Sequence, residues 1–170
     1  AAYSGVSGVQ PKVLLRDGDP PLAKLTHRGA THIVKTWSSG EFAELAANEY
    51  FCMRAAHYAG IATPKVSLSQ NRRFLIVERF DVGVDGNYFG FEDFCVLNGM
   101  RASGRYQASY ELIAKRIGQF VSTAARRKAL EQFYKIVALS CVLGNGDAHL
   151  KNFGVIYEHT DAEVPFAPAY

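Results

Sequence analysis

Several things are scarce in this chain of 170 residues, and each scarcity narrows what it can be. Cysteine occurs three times, at Cys52, Cys95 and Cys141, an odd number spread far apart and set in apolar stretches. That distribution argues against both a disulfide framework and a zinc site, and fits a reducing cytoplasm. No apolar run approaches the roughly 18 residues that a membrane-crossing helix needs. The opening "AAYSGVSGVQPK" lacks the basic-then-apolar order of a secretory signal, so a soluble protein is expected. Repeats and low-complexity tracts are absent, as is the G-x-x-x-x-G-K-S/T phosphate loop. Acid is scarce locally: from Arg101 to Lys128 stand Arg101, Arg105, Lys115, Arg116, Arg126, Arg127 and Lys128, against the single acid Glu111. This segment admits two readings, a basic surface for nucleic acid or an acidic protein, and a solvated helical face; its bases do not fall on one stripe.

With 48% hydrophobic and 21% charged residues and a formal net charge of +3, the chain suits one domain or two small lobes. The first half alternates short strand patterns with one helix. Residues 12–15 ("KVLL") and 32–37 ("HIVKTW") read as strands, and 41–59 as a helix stopped by Gly60. Residues 64–69 and 73–80 read as a strand pair turning through "QNR". After Asp81 comes a loop, then a mostly helical half: 91–98, 109–122 and 127–144, the last with Leu130, Phe133, Ile136, Val137, Ser140 and Cys141 on one face. Residues 153–158 read as a final strand. A β-rich lobe over 1–81 followed by a mainly helical lobe over 82–170 is the expected α+β organisation.

Four stretches carry candidate chemistry. The small residues of "SGVSGVQPK" (4–12) allow close approach of backbone amides to an anion, with Lys12 just beyond, though a flexible terminal segment has the same composition. Lys35 lies in an apolar strand, on the opposite face from Val34, and must find a counter-charge or water. Glu49 falls on the apolar stripe of the 41–59 helix, between Leu45 and Met53 at a spacing of four, and so points inward. An inward Lys on a strand and an inward Glu on the following helix is the arrangement that holds nucleotide phosphates in protein kinases; a structural buried pair is the other reading. Glu78, Arg79 and Phe80 close the last strand of the first half, either as edge charges or with backbone groups lining a crevice where an adenine edge can bond.

The fourth stretch is "GNGDAHLKNFGV" (144–155). Asp147 follows a helix-ending Gly144, and Asn152 comes five positions later, before a strand. This is the D-x-x-x-x-N spacing in which an Asp orients an attacking hydroxyl and takes its proton while the Asn carboxamide helps hold magnesium. Lys151 is placed to stabilise a transferring phosphoryl group. His149 is either a ligand contact or a structural imidazole.

Taken in order, "SGVSGVQPKVLL", "HIVKTW", "NEYFCMRAAHYAGI", "FLIVERFD", "EDFCVLNG", "GNGDAHLKNFGV" and the closing "PAY" resemble the HipA family of bacterial serine/threonine kinase toxins, including the short HipT type. The resemblance implies a protein-kinase-like, two-lobed fold with ATP between the lobes. The positions implied to face ATP are Ser7, Gly8, Val9, Gln10, Pro11, Lys12, Lys35 with its partner Glu49, Glu78, Arg79, Phe80, His149, Leu150, Lys151, Asn152 and Tyr170. Asp147 matches the catalytic base, with Lys151 beside it, and Asn152 a ligand of Mg2+. The family pattern continues past the position of Tyr170 to a metal-holding Asp and a helical region, so a fragment of a longer kinase is expected. The resemblance further implies autophosphorylation of a loop serine, Ser7 or Ser4, an aminoacyl-tRNA synthetase as protein substrate, and a HipB-like DNA-binding antitoxin as partner, with DNA reached only through it. Two rivals share these features: a lipid or small-molecule kinase, since phosphoinositide kinases carry a related G-D-x-H-x-x-N string, and a non-catalytic kinase-like binding module.

Overall fold

The structure is a computed structural model that describes residues 12–16, 29–37, 44–101, 104, 106 and 109–170. The chain falls into two compact units, one of residues 1–55 and 64–82, the other of residues 56–63 and 83–170.

The first unit is a four-stranded antiparallel sheet with one helix on it. Strands β1 (Lys12–Leu15), β2 (His32–Thr36), β3 (Val66–Leu68) and β4 (Phe74–Glu78) lie in the order β1-β2-β4-β3. Alternation sorts their side chains. Leu14, Ile33, Leu75, Val77, Val66 and Leu68 share one face by register. Leu75 and Val77 pack there with Ala46 of helix α1 (Leu45–Tyr58), flanked by Trp37, Tyr50, Val66 and Leu68. The β3–β4 turn falls at the expected "QNR", where Arg72 adopts a left-handed φ of 57°. The start expected for α1, at residues 41–43, lies outside the described residues.

The second unit holds the larger core. Strand β5 (Gly90–Asp93) runs into the short helix α2 (Phe94–Leu97), followed by α3 (Tyr110–Phe120), α4 (Arg126–Leu143), a 3-10 turn (Leu150–Asn152) and strand β6 (Gly154–Tyr157), which pairs antiparallel with β5. Phe94, Ile113, Ile117, Phe133, Leu150, Phe153 and Phe166 form its centre. Helix α3 starts where Ser109 accepts a hydrogen bond from the Leu112 N–H, and buries Ile113 and Ile117 one turn apart.

Two expectations are corrected here. Residues 91–98 do not form one helix: Gly90–Asp93 pair with β6, and the Asp93 carboxylate then caps only the single turn of α2 by accepting from the Val96 N–H. The strand pairing supplies backbone partners that a helix would otherwise provide. On α4 the buried face is Ala129, Phe133 and Ser140, with Ile136 and Val137 packed beside it, whereas Leu130 and Cys141 are exposed.

Glycine is required where β5 meets β6. A Cβ on Gly154 would lie 2.6 Å from the Glu92 carbonyl oxygen and 2.7 Å from the Phe91 ring, and backbone cannot step aside. Gly154→Ala is therefore expected to cost about 1–3 kcal/mol. The check is a lowered urea midpoint at unchanged slope.

Candidate active site

Helix α4 ends by a specific device. Gly144 is left-handed (φ 67°, ψ 26°); its N–H reaches the Cys141 carbonyl and the Asn145 N–H reaches that of Ser140, 2.8 Å away. This pair of bonds closes the helix as a Schellman motif. The chain then turns on Asn145, whose side-chain oxygen accepts from the Asp147 N–H at 3.0 Å, an Asx turn of the kind that lets a polar loop hold one shape. The 3-10 turn follows: the His149 ring Nδ1 accepts from the Lys151 N–H at 3.3 Å, and the His149 carbonyl accepts from the Asn152 N–H at 2.9 Å. Leu150, fully buried, and Phe153, nearly so, anchor this polar stretch in the core. The Phe153 carbonyl accepts from the Phe94 N–H at 2.9 Å.

These bonds decide the chemistry of His149. Because Nδ1 accepts, the proton of the neutral ring sits on Nε2. Nε2 lies 3.6 Å from Asp147 Oδ1 and the imidazole side chain is 11% exposed, against 68% for Asp147. So the imidazole is built into the loop and turned toward the carboxylate, and Asp147 is presented outward. Tyr106, which no spacing in the sequence pointed to, also reaches this carboxylate: its hydroxyl donates to Oδ1 at 2.7 Å, and its ring meets the His149 ring edge-on at 4.8 Å between centres. Asn145 was the other residue missed; an Asn directly after a helix-ending glycine is a signal that was available for it.

Tyr170 is drawn in by the second unit. The closing segment runs beside β6, where the Ala167 N–H donates to the Gly154 carbonyl at 2.9 Å and Phe166 bridges Val155. The Tyr170 hydroxyl then donates to the Lys151 carbonyl, and its ring packs edge-on against Phe91. Burial, and after it the nearby Asp93 carboxylate, push the phenol pKa up, so the hydroxyl keeps its proton and remains a donor.

In the first unit the Lys35 ammonium pairs with the Glu49 carboxylate, strand to helix, with 17% and 27% of the two side chains exposed. Lys12 stands directly opposite Lys35 in the β1–β2 register, and opposite residues of an antiparallel pair project to the same side. The Lys12 ammonium thus lies on the same face of the sheet as the Lys35–Glu49 pair. Burial, then the Lys35 charge, lower the Lys12 pKa, with Glu49 opposing. Arg79 is committed elsewhere: its guanidinium forks onto Asp81 at 2.9 and 2.6 Å, and its N–H donates to the Thr31 carbonyl at 2.8 Å. The Glu78 N–H donates to the Lys65 carbonyl at 2.9 Å. The N–H groups of Glu78 and Arg79 are therefore taken up by neighbouring strand ends. Ser7, Gly8, Val9, Gln10 and Pro11 lie outside the described residues.

Among the described residues there is no group of three or more His, Cys, Asp or Glu side chains set to hold a metal, and no helix is long and apolar enough to cross a membrane.

The arrangement, a kinase-like α+β fold with a polar loop after a long helix, has known counterparts. The HipA-like C-terminal domain family matches residues 4–170, and the chain belongs to that family. Two curated relatives carry the name "Putative kinase". Y4mE of Sinorhizobium fredii is 30% identical over 175 residues, spanning 97% of this chain and 41% of that protein. The Haemophilus influenzae protein is 28% identical over 179 residues, spanning 97% and 51%. Among solved structures, the fold is similar to a chain of the Shewanella oneidensis toxin-antitoxin complex of HipA, HipB and operator DNA (TM-score 0.75, 23% identity, 97% of this chain, 42% of that one). It is also similar to the Helicobacter pylori proinflammatory kinase CtkA (TM-score 0.59, 18% identity, 82% and 49%). The chain thus spans about half the length, or less, of the proteins it matches.

Two outcomes are expected. Tyr170→Phe leaves the Lys151 carbonyl without its hydroxyl partner and should cost about 1–3 kcal/mol, read as faster amide exchange over residues 150–152. Lys12 holds its proton less firmly folded than unfolded, so between its lowered pKa and the ordinary 10.5 the unfolded chain binds more protons and stability rises with pH. Lys12→Met should be more stable than wild type at neutral pH and should flatten that rise, as followed by thermal melts across pH.

Proposed function

We propose that this chain carries the nucleotide-binding and catalytic elements of an ATP-dependent serine/threonine protein kinase of the HipA toxin type. The observation that carries the reading is the ion pair between Lys35 on a strand and Glu49 on the following helix, the pairing by which kinases fix a phosphate-binding lysine. The family membership and the two kinase-named relatives support it.

The residues present fit ATP and Mg2+. Lys12 and Lys35 set two ammoniums side by side on one face of the sheet, a positive charge density that suits the phosphates of a nucleotide. Magnesium keeps oxygen ligands and is held by few protein groups together with phosphates, which suits the carboxamide of Asn152. When bound, Mg-ATP supplies the γ-phosphoryl group and neutralises part of its charge.

The chain's own groups do the rest. Asp147 accepts the proton of the attacking protein hydroxyl, and His149 faces that carboxylate from one side at 3.6 Å. Lys151 sets a positive charge beside the transferring group. Lys35, kept in place by Glu49, and Lys12 bind phosphates, and Ser7, Gly8, Val9, Gln10 and Pro11 belong to the same nucleotide site in this reading. Glu78 to Phe80 contact the adenine edge; with the Glu78 and Arg79 N–H groups already bonded, that contact falls to carbonyls and to Phe80. Tyr170 acts on the site through the Lys151 backbone.

The finer assignments belong to the same proposal. The protein substrate is an aminoacyl-tRNA synthetase, the partner is a HipB-like antitoxin through which DNA is met, Ser7 or Ser4 is an autophosphorylation site, and the protein works in the cytoplasm without a membrane. The HipA, HipB and operator DNA composition of the similar Shewanella complex supports the partner.

Radiolabelled ATP, offered with a cell lysate and separately with lipid vesicles, tests the reading. Label should pass to protein and not to lipid. Asp147→Asn should reduce transfer at least a hundredfold with nucleotide affinity within about twofold of wild type. Transfer that survives Asp147→Asn overturns the assigned base, and labelled lipid overturns the protein-kinase class.

A further inference from the structure

The Tyr106 hydroxyl and the His149 ring both address one atom, Oδ1 of Asp147, at 2.7 and 3.6 Å. The histidine belongs to the same loop as the aspartate, whereas the tyrosine lies 41 residues away from it in sequence. We infer that Tyr106 is a positioning residue for phosphoryl transfer: its phenol fixes the rotation of the Asp147 carboxylate so that Oδ2 is offered to the acceptor hydroxyl. The inference rests on the assignment of Asp147 as the base.

The physical case starts from exposure. Asp147 is 68% exposed, and a carboxylate that open rotates about its terminal torsion, which is broad and roughly two-fold. A base must present one oxygen in line with the acceptor, and misplacement by about 1 Å costs on the order of 100-fold. The Asp147 backbone is held by its N–H on the Asn145 side chain and by its carbonyl, which accepts from the His149 N–H at 2.9 Å, but neither bond fixes the torsion of the carboxylate itself. His149 alone, at 3.6 Å, is beyond hydrogen-bond length. The phenol at 2.7 Å is within it, and its bond to a charged oxygen belongs to the stronger class. The phenol bond on Oδ1, with the His149 ring facing the same oxygen, leaves Oδ2 as the oxygen that takes the proton.

Tyr106 and His149 also support each other, through the edge-on ring contact at 4.8 Å, an arrangement that aromatic pairs favour. The imidazole is itself fixed by the Lys151 N–H. A chain of contacts thus runs from the 3-10 turn, through the packed rings of His149 and Tyr106, to the carboxylate. The proton leaves the acceptor hydroxyl for Asp147 Oδ2 as the acceptor oxygen bonds to phosphorus and the bond to ADP breaks; Tyr106 keeps its own proton throughout.

The test compares Tyr106→Phe, which keeps the ring on His149 and removes only the hydroxyl, with Tyr106→Ala, which removes both. In Tyr106→Phe, kcat for transfer to protein should fall about tenfold, with KM for the protein and affinity for ATP within twofold and thermal stability unchanged. Tyr106→Ala should fall further. Carbon-13 NMR of the Asp147 carboxyl, read without nucleotide, should show its resonance displaced in Tyr106→Phe. An unmoved carboxyl resonance, or an unchanged kcat, overturns the inference while leaving Asp147→Asn to judge the base separately. A rise in transfer on losing the hydroxyl would make Tyr106 a competitor for the acceptor place, and label found on Tyr106 would make it an acceptor; either result also overturns the positioning role. If Asp147→Asn leaves transfer intact, the base assignment falls and this inference with it.

Discussion

The burial of Leu150 and Phe153 is the constraint on which the candidate site depends. A loop carrying an aspartate, a histidine, a lysine and an asparagine has no apolar reason to hold one shape, and its polar groups are at ease in water. Two anchors change that. Leu150 is fully enclosed and Phe153 nearly so, and burying such side chains is worth about 1.5–3 kcal/mol each. They sit among Phe94, Phe133 and Phe166, so the loop between α4 and β6 is tied to the centre of its unit. The Gly144 helix end, the Asn145 turn and the Tyr170 hydroxyl on Lys151 then remove the freedom that the anchors leave. Rigid support beneath exposed polar groups is what lets a site hold reacting atoms in place.

A different balance governs the first unit. The ion pair of Lys35 and Glu49 is only part-exposed, and pairs of that kind are weak contributors to stability because desolvation offsets attraction. Lys12 across the strand adds to that cost, since burial and the neighbouring Lys35 charge both lower its pKa. Apolar residues at Lys12 and Lys35 would make the sheet face against α1 more uniform. A cluster that costs stability yet lies on a rigid sheet is the pattern that functional sites show, which supports the phosphate-binding role proposed for these lysines.

Local signals were legible wherever a short stretch carried its own physical reason. Gly144 marked a helix end because a left-handed glycine acts within a few residues. Glu49 was readable as inward-facing from helical periodicity, while for Lys35 strand alternation left both a counter-charge and water open. Where strand pairing competed with helix pattern, as in Gly90–Asp93, the reading failed, because β6 lies more than 60 residues away in sequence. The exposed Leu130 and Cys141 failed for a related reason: helical spacing shows that two apolar positions share a stripe, and only the neighbouring elements decide how wide a stripe is covered.

By itself, then, the sequence determined the order of strands and helices except for β5, the stop of α4 at Gly144, the polar loop with its D-x-x-x-x-N spacing, and the family pattern. These follow from propensities and spacings that operate within a turn or two of chain. Tertiary structure alone decided that Tyr106 meets Asp147 across 41 residues, that Lys12 stands opposite Lys35, and that Tyr170 reaches the Lys151 carbonyl. Each of these depends on which surfaces the core brings together, and burial is blind to distance along the chain.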